Sequence, residues 1–231
     1  MSIAENVARI RAQMADAAIK AGRDPKDILL CAATKMNDAD AVRQAIVAGV
    51  DCCGENRVQE LTAKLAEDAY RGKPVHFIGH LQTNKVRQVV GKVSLIHSVD
   101  TLHLLEAINK EALRQGIRQD ILLEVNIAGE ESKSGFLVQE LSAVTDKLKD
   151  FPGVFVRGLM AIPPICQNKT DNHKFFQEMC NLSVDITAKK YDNVRVDILS
   201  MGMSGDFEDA IACGATMIRL GTAIFGPRNY T

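Results

Sequence analysis

Apolar positions along the chain alternate between two spacings. Short, dense apolar runs recur: "ILLCAATK" from Ile28, "VDCCGE" from Val50, "VHFIGH" from Val75 and "SLIHSVD" from Ser94. They continue as "DILLEVN" from Asp120, "VFVRGLMAI" from Val154, "VRVDILSMG" from Val194 and "TMIRLG" from Thr216. Each has the length and character of a buried strand. Between them lie stretches of helical period. "DADAVRQAIVAG" starts at a capping Asp38 or Asp40 and stops at Gly49. "TLHLLEAINKEALRQG" starts near Asp100 or Thr101 and stops at Gly116, and "GDFEDAIACG" runs from near Asp206 to Gly214. The first stretch, "MSIAENVARIRAQMADAAIKAG", predicts an amphipathic helix. Ser2 and Glu5 form a capping box, Ile3, Val7, Ile10 and Met14 line one face, and Gly22 ends it.

Strands alternating with helices imply parallel strands and crossover connections. Eight such units in 231 residues match a single α/β domain over 1–231, a (β/α)8 barrel with an extra N-terminal helix, a fold of about 250 residues. A doubly wound open sheet is the rival. The first strand–helix turn, "ATKMNDAD", lacks the glycines of a dinucleotide fingerprint. No linker, low-complexity tract or internal repeat divides the chain.

Composition narrows the function classes. Hydrophobic residues make up 46% and charged residues 25%, and the net charge of −1 offers no field to gather nucleic acid or an anionic membrane. No apolar run approaches the roughly 20 residues of a membrane span, and charges interrupt any signal-peptide core. The six cysteines show no zinc spacing and suit a reducing cytoplasm. No metal site is expected, and His97 and His103 are read as structural or surface residues. "TNKVRQVVGK" (83–92) is read as a solvated helix face and "HKFFQEMCNL" (173–182) as core packing.

Candidate chemistry collects at the strand ends, where barrels of this type carry their working groups. In order these are Lys35, Glu55-Asn56-Arg57, Gly79-His80, Ser98 and Asp100, Glu124 and Asn126, Met160, Ser200-Met201-Gly202, then Arg219 with Gly221-Thr222. The last two units suggest a phosphate cup. Ser200 and Thr222 offer hydroxyls, while Gly202 and Gly221 let backbone N–H groups approach an anion. Two ordinary glycine turns are the plainer alternative. Arg219 could contact phosphate, pair with a carboxylate such as Glu55, or face the nitrogen of a pyridoxal ring, where it can only donate. Lys35 could be a solvated strand tip. Beside a cation and partly desolvated, its amine is instead a nucleophile for an aldehyde, as a Schiff base with pyridoxal phosphate (PLP) requires.

The sequence resembles the pyridoxal phosphate homeostasis protein family, also described as the proline-synthase-co-transcribed PLP-binding proteins. The resemblance covers nearly the whole chain. It rests on "CAATK" (31–35), "GENRVQE" (54–60), "HFIGHLQTNKV" (76–86), "SKSG" (132–135), "GLMAI" (158–162), "LSMGMSGDFEDAI" (199–211) and "RLGTAIFG" (219–226). It implies a barrel like the N-terminal domain of alanine racemase, PLP fold type III, with an internal aldimine on Lys35. It further implies phosphate contacts from Ser200, Gly221 and Thr222, Arg219 at the ring nitrogen, Asn56 beside the ring and Met201 lining the pocket. His80 and Lys133 fall in family motifs near the mouth. Many relatives carry a second lysine where this chain has Asn37.

Binding is favoured over turnover. Racemization needs acid/base groups on both faces of the substrate carbon, and Lys35 supplies one. The tyrosine that supplies the other in alanine racemase comes from a second domain for which this chain has no length. Tyr70 and Tyr191 should lie on the opposite face, and Tyr230 is near the C-terminus; His80 or Cys53 are possible substitutes. An unprotonated ring nitrogen is also a weaker electron sink. The expectation is a cytoplasmic, monomeric PLP carrier serving PLP homeostasis, with PLP-dependent apo-enzymes as candidate recipients. A racemase-like PLP enzyme is the alternative, and a PLP-free class I aldolase-like barrel a weaker third reading.

Overall fold

The structure, a computed structural model, describes residues 1–164 and 169–227. It opens with helix α1 (Ile3–Lys20), nucleated by the expected capping box: Glu5 N donates to Ser2 Oγ at 3.2 Å and Ser2 N to Glu5 Oε2 at 2.7 Å. Its buried face carries Asn6, Val7, Ile10 and Met14. Asn6 Nδ2 donates to Ile224 O at 2.9 Å and so ties the first helix to the last.

Then follow β1 (Leu29–Ala33), α2 (Ala39–Val47), β2 (Cys52–Glu55), α3 (Val58–Ala66) and β3 (Val75–Phe77). A 3-10 turn (Thr83–Gln88) leads to β4 (Leu95–Val99), α4 (Leu102–Arg114), β5 (Gln119–Asn126), β6 (Phe136–Leu137) and α5 (Leu141–Lys147). The chain continues through β7 (Val154–Met160), α6 (Lys169–Ala188), β8 (Val194–Ser200), α7 (Phe207–Ala212), β9 (Met217–Leu220) and α8 (Thr222–Phe225). Asp38 caps α2 through Ala41 N at 2.8 Å, and Thr101 caps α4 through Leu104 N at 3.2 Å.

All eight expected strands form, every pair is parallel, and the β4–β5 pairing closes them into a barrel. The two-residue β6 was not anticipated; it hangs beside the end of β5. The stretch 83–92 is also less solvated than expected, because Val86, Val89 and Val90 are buried beneath the 3-10 turn.

Register decides which side chains enter the barrel, since alternate residues of a strand face opposite sides. Around the ring, Cys31 pairs with Arg219 and Cys52, Gly54 with His76, and His76 with Leu95. Leu122 pairs with Gly158, Glu124 with Met160, and Met160 with Ser200. Branched aliphatics usually fill such an interior. Here its apolar part divides into Cys31, Cys52, Ile78 and Met217 on one side and Leu95, Leu122 and Met160 on the other. Polar side chains occupy the space between, as described below. The main core lies outside the barrel, between strands and helices.

Gly158 sits at an irregularity in the β7–β8 pairing with φ +149°, and an added Cβ would stand 1.8 Å from Ile198 O. Gly158→Ala is therefore expected to cost at least about 3 kcal/mol, from strain and displaced strand pairing together. Denaturant unfolding measures this, and an unchanged midpoint would contradict the register described.

Candidate functional site

The C-terminal strand ends open on a cavity of about 430 Å3, lined among others by Lys35, Asn56, Ser204, Gly205, Arg219, Gly221 and Thr222. A second hollow of about 270 Å3 shares Ala33, Lys35, Gly221 and Thr222 with it and runs over Met36 and Asn37 to Pro227.

The backbone around Lys35 is tightly specified. β1 ends at Ala33, and Asn37 N returns to Thr34 O at 3.2 Å to close a turn. Met36 within it has φ +61°, a left-handed conformation costing a non-glycine residue about 1–2 kcal/mol. The turn is held there by Met36 N to Glu60 Oε2 at 2.7 Å and Asn37 Nδ2 to Lys35 O at 3.0 Å. Asn37 thus fastens the loop that carries Lys35.

Beneath the turn, Glu55 is wholly buried. Its Oε1 accepts from Thr34 Oγ1 at 2.5 Å, Lys64 Nζ at 2.7 Å and Tyr70 Oη at 3.0 Å. Lys64 Nζ also donates to Thr34 O at 2.7 Å. Glu55 is consequently the partner of Lys64 and not of Arg219, which removes one reading of that arginine. Burial, reinforced by the Glu55 charge, pushes the Tyr70 hydroxyl far above its ordinary range. The next residue, Asn56, turns to the cavity, where its buried Oδ1 has no hydrogen-bond partner.

Arg219 is 5% exposed. Nη1 donates to Ser200 Oγ at 2.6 Å and Nη2 to Ala161 O at 2.9 Å. From Ser200 the chain continues to His97 Nδ1 at 3.1 Å and from His97 Nε2 to His76 Nδ1 at 3.0 Å. Burial keeps both imidazoles neutral, lowering His76 to about 4 and His97 well below the usual histidine range. Arg219 only donates, whereas Ser200 and the imidazoles can carry their protons in either direction along the chain. Glu124, at the end of β5, has its carboxyl raised to about 7 by burial and then by Asp100, with Arg219 opposing.

Five of the residues expected at the site, Lys35, Asn56, Arg219, Gly221 and Thr222, line the cavity. Ser200 and Met201 are not among its lining. Strand alternation turns Ser200 inward under Arg219, and Met201 joins the outer core. The serine beside Thr222 is Ser204, with the two hydroxyls 3.3 Å apart. Asp206 Oδ1 accepts from Met203 N at 2.6 Å and fixes that turn, while Gly205 faces open space. Gly202 serves packing instead: a Cβ there would meet the Ala210 Cβ at 2.7 Å.

Asn172, immediately before the stretch read as core packing, also lines the cavity with an unpartnered Oδ1. His97 is structural, as one reading had it, and fully buried. His80 pairs with Asp100 at 3.3 Å outside the lining. Lys133 pairs with Glu130 at 3.3 Å and donates to the carbonyl of the rim residue Ile162. Cys53 faces the outer core, its thiol pushed up to about 12 by burial. Tyr191 bonds Asp146 far from the mouth. Tyr230 and Cys166 lie outside the described residues.

The family model for the alanine racemase N-terminal domain matches residues 2–229. A pyridoxal phosphate homeostasis protein of Pseudomonas aeruginosa is 40% identical over 229 residues, 99% of this chain and 97% of the relative. The structure of PipY from Synechococcus elongatus with PLP bound superposes with a TM-score of 0.85 at 34% identity, covering 97% of this chain and all of that one. The alanine racemase of Corynebacterium glutamicum shares the fold at a TM-score of 0.69 and 17% identity, with 62% of its chain covered.

Glu124 predicts a pH dependence. Its folded value near 7 lies above the ordinary 4.5, so the stability it contributes is complete below about pH 4.5 and lost as pH rises through 7. The unfolding free energy of Glu124→Gln should therefore gain on the parent between those pH values and run parallel above them. A constant difference across this window would contradict the buried, Asp100-facing placement.

Proposed function

The chain belongs to the pyridoxal phosphate homeostasis protein family, built on the alanine racemase N-terminal barrel, and we propose that it binds PLP and holds or hands on the cofactor without turnover of its own. One observation carries this reading. A single cavity combines an amine (Lys35), a guanidinium (Arg219), a hydroxyl pair (Ser204 and Thr222) and a buried amide oxygen without a partner (Asn56). A phosphorylated, aromatic aldehyde has a complement for each.

Bound PLP would supply an electrophilic carbonyl carbon attached to an electron-withdrawing ring. The chain's residues divide the task of holding it. Lys35 Nζ is the nucleophile for that carbon. Thr222, Gly221, Ser204 and Gly205 form the phosphate cradle, with hydroxyls that donate and no side chain on the two glycines. Arg219 presents donors to the ring nitrogen and, being always protonated, keeps that nitrogen an acceptor. Ser200 acts through Arg219 by fixing its guanidinium, while Met201 packs in the outer core.

The described lining supports holding over turnover. Its one carboxylate, Asp206, is occupied by a backbone N–H. Glu124 at the end of β5, and Asp100, which pairs with His80, stand outside that lining. The described cysteines are unpaired thiols, in keeping with a reducing cytoplasm. We place the protein there as a monomeric carrier that buffers PLP and passes it to apo-enzymes.

Absorbance spectra of the purified protein titrated with PLP test this reading. The parent should gain a visible band that borohydride removes, leaving the added mass on the Lys35 peptide, and Lys35→Ala should show neither. Ser204→Ala/Thr222→Ala should weaken PLP binding by on the order of tenfold or more while barely altering binding of unphosphorylated pyridoxal. A parent that stays colourless, or an equal loss for both vitamers, would refute the assignment. Amino-acid turnover matching that of a racemase would refute the carrier role.

A further inference from the structure

Inside the barrel, beneath the cavity, three soft ligand atoms converge. Cys31 and Cys52 are register partners on β1 and β2, so their side chains leave the sheet on the same inner face. His76 on β3 pairs with Gly54, two residues beyond Cys52, and therefore shares that face. Cys31 Sγ, Cys52 Sγ and a ring nitrogen of His76 lie within 4.8 Å of one another, the one such cluster among the described residues. All three are buried, at 0%, 2% and 7% exposure. The space is kept open by Gly54, where a Cβ would stand 2.9 Å from Cys31 Sγ. Met217, a thioether, packs in the same small group. PLP binding uses none of these atoms.

We infer that Cys31, Cys52 and His76 form a binding site for one thiophilic d10 cation, Cu+ or Zn2+. Two thiolates and an imidazole are a soft donor set of the kind these ions take. Bond lengths of about 2.3 Å to sulfur and about 2.0 Å to nitrogen place ligand atoms roughly 3.5–4 Å apart around a shared ion, within the separation observed. The outer shell is also in place. Metal-bound histidines hold their second nitrogen against a fixed acceptor. His76 Nδ1 meets His97 Nε2 at 3.0 Å, and His97 Nδ1 meets Ser200 Oγ at 3.1 Å. With the ion on His76 Nε2, Nδ1–H donates to His97, whose Nδ1–H donates to Ser200. Ser200 keeps a second lone pair for Arg219.

Binding exchanges the two thiol protons, released to solvent, for the cation. Zn2+ leaves the site neutral. Cu+ leaves one negative charge beside Arg219, the register neighbour of Cys31. The packed thioether of Met217 favours Cu+.

The test needs no PLP. Reduced, metal-free protein is titrated anaerobically with Zn2+ and, separately, Cu+ in competition with a chromophoric chelator. The parent should hold one equivalent of at least one ion, as should Cys53→Ser, whose thiol faces the outer core. Cys31→Ser/Cys52→Ser should bind at least about a hundredfold more weakly. X-ray absorption of the loaded parent should show two sulfurs and one nitrogen, with a third sulfur only if Met217 joins. Equal uptake by parent and double variant, or no retained equivalent of either ion in the parent, would overturn the inference. Should the double variant not fold, the absorption spectrum decides: a first shell lacking two sulfurs overturns it.

Discussion

A guanidinium buried in the barrel with only neutral hydrogen-bond partners is the constraint on which the rest of the site depends. A buried charge is costly unless its donors are satisfied, and Arg219 spends two on Ser200 Oγ and Ala161 O. This requirement shapes the interior. Ser200 must point inward, His97 must stand where Ser200 can reach it, and His76 must stand beside His97. Aliphatic filling then survives only as two separate patches. The positive charge also draws on Glu124, whose carboxyl balances burial and Asp100 against Arg219. No described carboxylate neutralises Arg219 by direct contact, so its charge remains directed at whatever the cavity holds.

The wall behind Lys35 solves a complementary problem. Glu55 and Lys64 form a nearly solvent-free ion pair, in which removing one partner alone would strand a charge. Thr34 and Tyr70 complete the shell of Glu55 Oε1, and Glu60 secures the strained Met36 turn. The result is a reactive amine on a loop whose backbone has little freedom. Arg219 lies on β9 opposite Cys31 of β1 and Lys35 on the turn that leaves β1, so the β1–β9 register and that fastened turn together set their separation.

Much of this was legible in the sequence. Apolar periodicity located all eight barrel strands, Ser2 is the cap expected for α1, and Asp38 and Thr101 are each one of the two candidates offered for α2 and α4. Lys35, Asn56, Arg219, Gly221 and Thr222 could be placed at one mouth because strand ends are recognisable and barrel geometry brings them together. What failed was finer than an element. Ser200 and Ser204 are four residues apart in "LSMGMSG", and only the inward parity of β8 and the Asp206-capped turn decide which reaches the cavity. Asn172 was missed because helical periodicity says nothing of a helix's first turn. His76 and His97 are 21 residues apart with no spacing signal, since their contact crosses neighbouring strands. β6 is too short to have a period.

The most direct test is a crystal structure of the protein grown with PLP. The account predicts density continuous from Lys35 Nζ, the phosphate between Ser204 and Thr222, and the ring nitrogen facing Arg219. Phosphate density against Arg219, or PLP attached to any other lysine, would contradict it.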